Sequence, residues 1–376
     1  MRTAKIARAS AAVAGAAVLA ACSIGDGATP APAPAPTVAA PAAGSTAPSS
    51  PSEKTDPAPD LSAPETVATG LTTPWGLAFL PDGSALVAER DTGHILQVRR
   101  GGGAPREVYR VPAVEAGGEG GLLGIAVARD FASTALVYAY FTSSSDNRIV
   151  RFRLGQGGAP QVIFDGLTRG GRHNGGRLAF GPDGMLYVGT GDAGDTSQAQ
   201  DADDPNGKIL RLTPDGKPAP GNPKAGSPVW TLGHRNVQGL AWDAEGRMYA
   251  TEFGQDRFDE VNLIKPGHNY GWPEVEGTGG RRGYTDPIIS WRTSEASPSG
   301  AAIVDRTLYA AGLRGERLWL VPLDGGTARA EFRGRYGRLR TVAVAPDGAL
   351  WLTTSNTDGR GNERDGDDRI LRFPAR

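Results

Sequence analysis

Apolar residues recur at every second position over short runs of this chain, and the clearest pair of runs lies between Gly170 and Asp192. Leu178 and Phe180, then Leu186 and Val188, have the spacing of strands with one buried face. Pro182-Asp183-Gly184 between them supplies turn chemistry, so the segment reads as a β-hairpin. His173 precedes the first strand and Asp192 follows the second, and an antiparallel pairing brings those two ends together. A histidine and a carboxylate at one end of a rigid sheet form a candidate general base with its orienting partner. A polar loop with a structural histidine is the alternative.

The same unit recurs: a strand of type GLAF, a PDG turn, a strand of type LYV, a polar loop and a further strand. One copy starts at Pro74, with Pro81-Asp82-Gly83 as its turn, and a second runs from Gly120 to Phe152. The hairpin above is the third, closed by Lys208–Leu212, and the fourth runs from Val237 to Ile264. The fifth spans Ser299–Leu323 and the sixth Leu339–Phe373, with Pro346-Asp347-Gly348 as its turn. No long amphipathic helix interrupts them. Repeats of about 40–50 residues built from short strands predict an all-β fold, a six-bladed β-propeller of four-stranded antiparallel blades over residues 64–376. Loops at equivalent places in the blades then converge on one rim, so residues far apart in sequence can share a pocket.

Composition adds the surroundings of this body. The 376 residues carry 40 Lys+Arg against 41 Asp+Glu, a near-balance that argues against nucleic-acid binding through a strongly basic surface. Arg2, Lys5 and Arg8 precede an apolar run, Ala11–Ala21, too short to span a bilayer. The run ends Leu19-Ala20-Ala21-Cys22, which resembles the lipobox of bacterial lipoproteins. Cys22 is the only cysteine, so no intramolecular disulfide can form. Residues 1–22 are therefore expected to be a lipoprotein signal peptide ending at a lipidated Cys22. Residues 23–63, rich in Ala and Pro, are expected to be an extended spacer. The chain would be exported by the general route and would meet the membrane of the cell envelope only through that lipid.

Several polar clusters fall on the predicted rim. Gly189-Thr190-Gly191-Asp192-Ala193-Gly194 fits a dinucleotide pattern, but a polar loop rather than an apolar helix follows, so a nucleotide site is rejected. Arg235, Asn236 and Gln238 precede the fourth blade where His173 precedes the third, and offer a guanidinium and two amides to a polyanionic or carbonyl-rich ligand. Arg338 and Arg340 share a strand face and call for an anion, and Arg314 is a further candidate. The acidic loop Thr251–Glu260 suits a hard cation such as calcium, whereas the loop around Asn356–Gly359 and Asp365–Asp368 reads as structural.

Taken together these motifs resemble the soluble PQQ-dependent sugar dehydrogenases, the bacterial aldose dehydrogenases and soluble quinoprotein glucose dehydrogenase. The resemblance covers nearly the whole folded part. It rests on PWGLAFLPDG at Pro74, GEGGLLGIAV at Gly118, RHNGGRLAFGPDGMLYVGTGD at Arg172, GHRNVQGLAWD at Gly233, TEFGQDRFDEVNLI at Thr251 and RLRTVAVAPDG at Arg338. It implies a six-bladed propeller that oxidises an aldose sugar at C1 and passes electrons on to an acceptor it does not identify. His173 would be the general base, Asp192 its orienting partner and a substrate contact, and a hydride would pass to the C5 carbonyl of PQQ. Arg235, Asn236, Gln238, Arg314, Arg338 and Arg340 would contact PQQ, with Arg235 also assisting the reaction. Main-chain carbonyls of Gly254 and Gln255 would hold calcium. Two positions depart from the family: Glu119, in the sugar site, replaces a usual glutamine, and Arg314 replaces a lysine. A metal-dependent lactonase of the same fold, and a non-catalytic propeller binding carbohydrate or protein, are the rival readings. The lactonase would want carboxylates around an axial metal where this chain has arginines.

Overall fold

The computed structural model describes residues 57–376. The expected signal peptide, Cys22 and most of the expected spacer lie outside the described residues. The body contains β1 (Glu65–Ala68), then a blade of β2 (Pro74–Phe79), β3 (Ala85–Glu89), β4 (His94–Val98) and β5 (Arg106–Arg110). The second blade is β6 (Leu122–Val127), β7 (Leu136–Thr142), β8 (Asn147–Arg153) and β9 (Gln161–Leu167). The third is β10 (Arg177–Phe180), β11 (Leu186–Gly189), β12 (Lys208–Leu212) and β13 (Val229–Leu232). β14 (Val237–Trp242), β15 (Met248–Glu252), β16 (Phe258–Ile264) and β17 (Ile289–Arg292) form the fourth. β18 (Pro298–Val304), β19 (Thr307–Gly312), β20 (Arg317–Pro322) and β21 (Arg329–Glu331) form the fifth. The last has β22 (Leu339–Val344), β23 (Leu350–Thr354) and β24 (Ile370–Phe373), with β1 as its outer strand. Two short helices, α1 (Phe131–Thr134) and α2 (Ser197–Gln200), are the only helices among the described residues.

The predicted hairpin has the register its spacing demands: Leu178 faces Val188 and Phe180 faces Leu186. The first strand of each blade lies beside the first strands of both neighbouring blades, which closes the six sheets into a ring. Apolar residues on the facing sheets fill the wedges between blades. Trp75, Leu123, Leu178 and Leu186 pack in one such cluster, and Phe79 meets Trp351 edge-to-face at 5.1 Å across the seam between the first and last blades. Burying each large side chain of this kind contributes about 1.5–3 kcal/mol.

The ring is closed by strands from the two ends of the described body. Glu65 pairs with Arg372 and Thr66 with Leu371, while the Arg372 guanidinium bonds Glu65 Oε2 at 2.8 Å and Asp347 Oδ2 at 2.8 Å. The contacts begin before Pro64: Pro59 bridges to Ala375, and the Asp60 N–H donates to the Pro374 carbonyl at 2.7 Å. This architecture brings the loops that enter each first strand to one rim.

Candidate functional site

His173 and Asp192 meet as the hairpin requires. His173 Nδ1 lies 2.6 Å from Asp192 Oδ1, with the histidine nearly buried and the aspartate wholly so. Asp192 Oδ1 also accepts the Gly194 N–H at 2.8 Å, and Oδ2 accepts the Trp272 indole N–H at 2.8 Å. Burial alone would raise the Asp192 carboxyl, yet the His173 ring and these donors hold it below its ordinary value. An ionised Asp192 makes Nδ1 the protonated nitrogen and leaves the Nε2 lone pair to act as a base. His173 has φ of 55°, a left-handed conformation held in part by the Ala193 N–H on its carbonyl. Gly191 is needed against that carbonyl, because a Cβ there would collide with it.

The fourth blade carries a second pair of the same design. His234 Nδ1 lies 2.8 Å from Glu252 Oε2, but its Nε2 is taken by Thr231 and the residue is fully buried. Glu252 Oε1 accepts the backbone N–H groups of Arg235 and Asn236. That pair braces a loop; of the two buried pairs only that of His173 keeps a ring nitrogen without a hydrogen bond among the described residues.

Arg235 donates from Nη2 to Gln255 Oε1 at 2.6 Å and stacks over Trp272, 5.5 Å from the ring centroid. Asn236 Oδ1 accepts the Gly175 N–H at 3.0 Å, while its Nδ2 is buried with no partner among the described residues. Gln238 Oε1 accepts from Arg340 Nη1 at 3.2 Å. Arg338 donates from Nη2 to Asp358 Oδ2 at 2.8 Å, whereas Arg340 Nε has no partner and burial pushes that guanidinium down to about 9. The loop around Asp358, expected to be structural, thus supplies the counter-ion to Arg338, a contact between the residue entering β22 and the loop after β23 that spacing alone does not reveal. Arg177, which no motif singled out, is buried with its guanidinium 4.3 Å from the Trp75 ring centroid.

A cavity of about 380 Å³ opens among these loops. Its wall includes Arg90, Arg314, Arg338, Arg340 and Arg360 against only Glu119 and Asp358, together with Trp75, Asn174, Gly175 and Gln238. His173, Asp192, Arg235 and Asn236 are not in that wall; Glu119, Asn174 and Gly175, which bond or adjoin His173, are. Arg235 faces a smaller void with Glu252, Phe253, Gly254 and Trp272. Ser297, just before β18, also lines the large cavity.

The acidic loop is organised by a residue that sequence motifs missed. Glu276 Oε1 accepts the backbone N–H groups of Gln255, Asp256, Arg257 and Phe258. The carbonyls of Gly254 and Gln255 accept no hydrogen bond among the described residues. No cluster of three His, Cys, Asp or Glu side chains is set as metal ligands there either. Carbonyl oxygens free of protein donors suit a hard cation. The excess of arginine over carboxylate in the cavity wall and the unpartnered Arg340 Nε and Asn236 Nδ2 suit a polyanion with carbonyl acceptors. The residues therefore fit PQQ and calcium.

Comparison with known proteins gives the same direction. The family model for glucose/sorbosone dehydrogenase matches residues 71–371. The structure of the PQQ-bound form of the aldose sugar dehydrogenase of Streptomyces coelicolor superposes with a TM-score of 0.80 at 58% identity, covering 82% of this chain and 96% of that one. Aldose sugar dehydrogenase YliI of Escherichia coli K12 is 28% identical over 77% of this chain and 89% of its own length. Quinoprotein glucose dehydrogenase B of Acinetobacter calcoaceticus is 34% identical over 58% of this chain and 54% of its own.

Proposed function

The chain belongs to the glucose/sorbosone dehydrogenase family, an oxidoreductase of the PQQ-dependent sugar dehydrogenase type, and from that premise we propose that it oxidises aldoses at C1 to lactones with PQQ and calcium. The observation that carries this reading is the cavity wall, where five arginines meet two carboxylates beside a His–Asp pair with one free ring nitrogen. When bound, PQQ supplies an o-quinone that accepts a hydride, and calcium supplies Lewis acidity at a quinone oxygen. Arg314, Arg338 and Arg340 would hold its carboxylates, and Asn236 and Gln238 would offer amides. The Gly254 and Gln255 carbonyls would face the cation. Arg235 would oppose negative charge developing in the reaction.

The chain's own chemistry at the sugar is proton removal. His173 Nε2 takes the proton of the C1 hydroxyl while C1 loses its hydride, so the carbonyl of the lactone forms as both leave. The resulting imidazolium is stabilised through Nδ1–H by Asp192. Glu119, in the cavity wall, would contact the sugar.

Titrating PQQ with calcium into the purified chain and then adding an aldose tests the proposal. Tight binding followed by bleaching of the quinone absorbance is expected, and absence of either would overturn it.

Two further outcomes are expected. Trp272→Phe keeps the ring but removes the indole donor from Asp192 Oδ2. Hydrogen bonds to ionised groups are worth about 1.5–3 kcal/mol, so kcat should fall roughly 10–100-fold with little change in PQQ affinity. Steady-state kinetics paired with the binding titration checks this. The export and anchoring expected from Cys22 belong to the same proposal. Cys22→Ser should move the protein out of the membrane fraction and abolish incorporation of radiolabelled palmitate; unchanged labelling would refute lipidation at that residue.

A further inference from the structure

Glu119 is engaged on both of its oxygens. Oε2 accepts the backbone N–H of His173 at 2.8 Å, and Oε1 accepts Arg360 Nη1 at 2.9 Å. Glu119 lies in the loop entering the second blade, His173 in the loop entering the third, and Arg360 in the loop between β23 and β24 of the last. Arg360 therefore reaches across the rim of the cavity, which both it and Glu119 line. Its own backbone N–H is pinned at 2.9 Å by Asp358 Oδ1, the carboxylate whose other oxygen pairs with Arg338.

The bond from Glu119 falls on the residue that most needs holding. His173 adopts the left-handed backbone conformation that a residue with a Cβ disfavours. The Glu119 carboxylate fixes the N–H side of that residue, and Ala193 and Asp192 fix its carbonyl and ring. Glu119 is itself largely buried: burial would raise its carboxyl, while the His173 N–H and the Arg360 guanidinium hold it low. Without a cation such a carboxylate is drawn toward solvent or toward protonation, and either change weakens its grip on the His173 backbone. Arg360 has a largely exposed side chain and so contributes little as packing.

We propose that Arg360 is a positioning residue for the reaction: it clamps Glu119, and through Glu119 it sets the backbone of His173, so that a loop of the sixth blade aligns the base carried by the third. The inference rests on the functional reading above for its kinetic part only. The geometry also sets an unusual pattern for the replacements. A glutamine at 119 has one oxygen where two donors, the His173 N–H and Arg360, each require one. Glu119→Gln alone leaves one donor unmatched, and Arg360→Ala alone leaves a carboxylate without its cation. Together, the single amide oxygen can serve the His173 N–H with nothing competing for it.

The experiment is the double-mutant cycle R360A, E119Q and R360A/E119Q in the full chain. With PQQ and calcium loaded, R360A should lower kcat roughly tenfold with KM changed less, E119Q should show a smaller loss, and the double variant should recover most of the R360A loss. The cofactor-free readout is NMR of isotope-labelled histidine ring nitrogens, practical because the chain has only 4 histidines. The His173 signals, assigned by their disappearance in His173→Asn, should shift in R360A and return toward the original positions in the double variant. Additive losses, an unshifted His173 signal in R360A, or an effect confined to KM would each overturn the proposal. If no variant, nor the parent, oxidises sugar but the NMR pattern holds, the clamp stands and the dehydrogenase reading fails instead.

Discussion

His173→Asn lowers kcat for aldose oxidation by about 10²–10⁴-fold, the range associated with a positioned general base, while PQQ still binds. Asparagine is the informative replacement because the backbone at 173 has positive φ, which asparagine tolerates better than most residues. An alanine there would confound loss of the base with backbone strain. Asp192 keeps its Gly194 and Trp272 donors in the variant, so the rest of the site stays in place. The asparagine amide can occupy the position of the ring but cannot accept and carry a proton at neutral pH. Single-turnover bleaching of the loaded enzyme isolates the chemical step from product release. A loss below tenfold would mean that the proton leaves by another group, and Glu119 would be the first to test.

Arg340→Met should act in opposite directions on stability and on cofactor binding. Arg340 is buried beside Arg338, with Arg90 and Arg177 adding repulsion, and its Nε has no partner among the described residues. Asp358 is closer to Arg338, at 2.8 Å, than to Arg340, at 3.8 Å. Replacing an imperfectly paired buried charge by an apolar side chain of similar length stabilises by about 1–4 kcal/mol in favourable cases. A gain near 2 kcal/mol would raise the apo Tm by roughly 3 °C in a body of this size. The same change removes a desolvated cation that an anionic cofactor would pair with, which costs about 2–5 kcal/mol, or a roughly 30- to 5000-fold weaker Kd for PQQ. Calorimetry of the apo chain and a PQQ titration decide the matter together. A lowered Tm with unchanged Kd would show that Arg340 serves the fold rather than the ligand.

Much of the fold was legible because each blade repeats local signals. The alternation in Leu178–Phe180 and Leu186–Val188 and the Pro-Asp-Gly turns predict hairpins whose registers the structure bears out. The outer strands were harder to read. Arg106–Arg110 and Gln161–Leu167 are half-exposed, carry mixed polarity and hold their place by pairing with a neighbour rather than by a buried stripe. The role of Glu65–Ala68 was hidden altogether, since its partner lies some three hundred residues away. Motifs singled out His173, Asp192 and the arginines at 235, 338 and 340, and the structure brings His173 to Asp192 and sets Arg338 and Arg340 in one cavity wall. Trp272, Asp358, Arg360 and Glu276 were not read as site residues. Each contributes through contacts to another loop, and such contacts leave no periodicity along the chain.

The pairing of β1 with β24 also dictates an order of events in the life of the molecule. The sixth sheet needs residues near both ends of the described body, so the ring cannot close until Ile370–Phe373 reach Glu65–Ala68. Blades two to five can gather from neighbouring segments as the chain folds, but the final seam carries the largest loop-closure cost and comes last. Until β24 is in place the body is an open crescent with an unpaired edge. Its commitment to the native ring is set by the meeting of β1 with β24 rather than by the completion of any single blade.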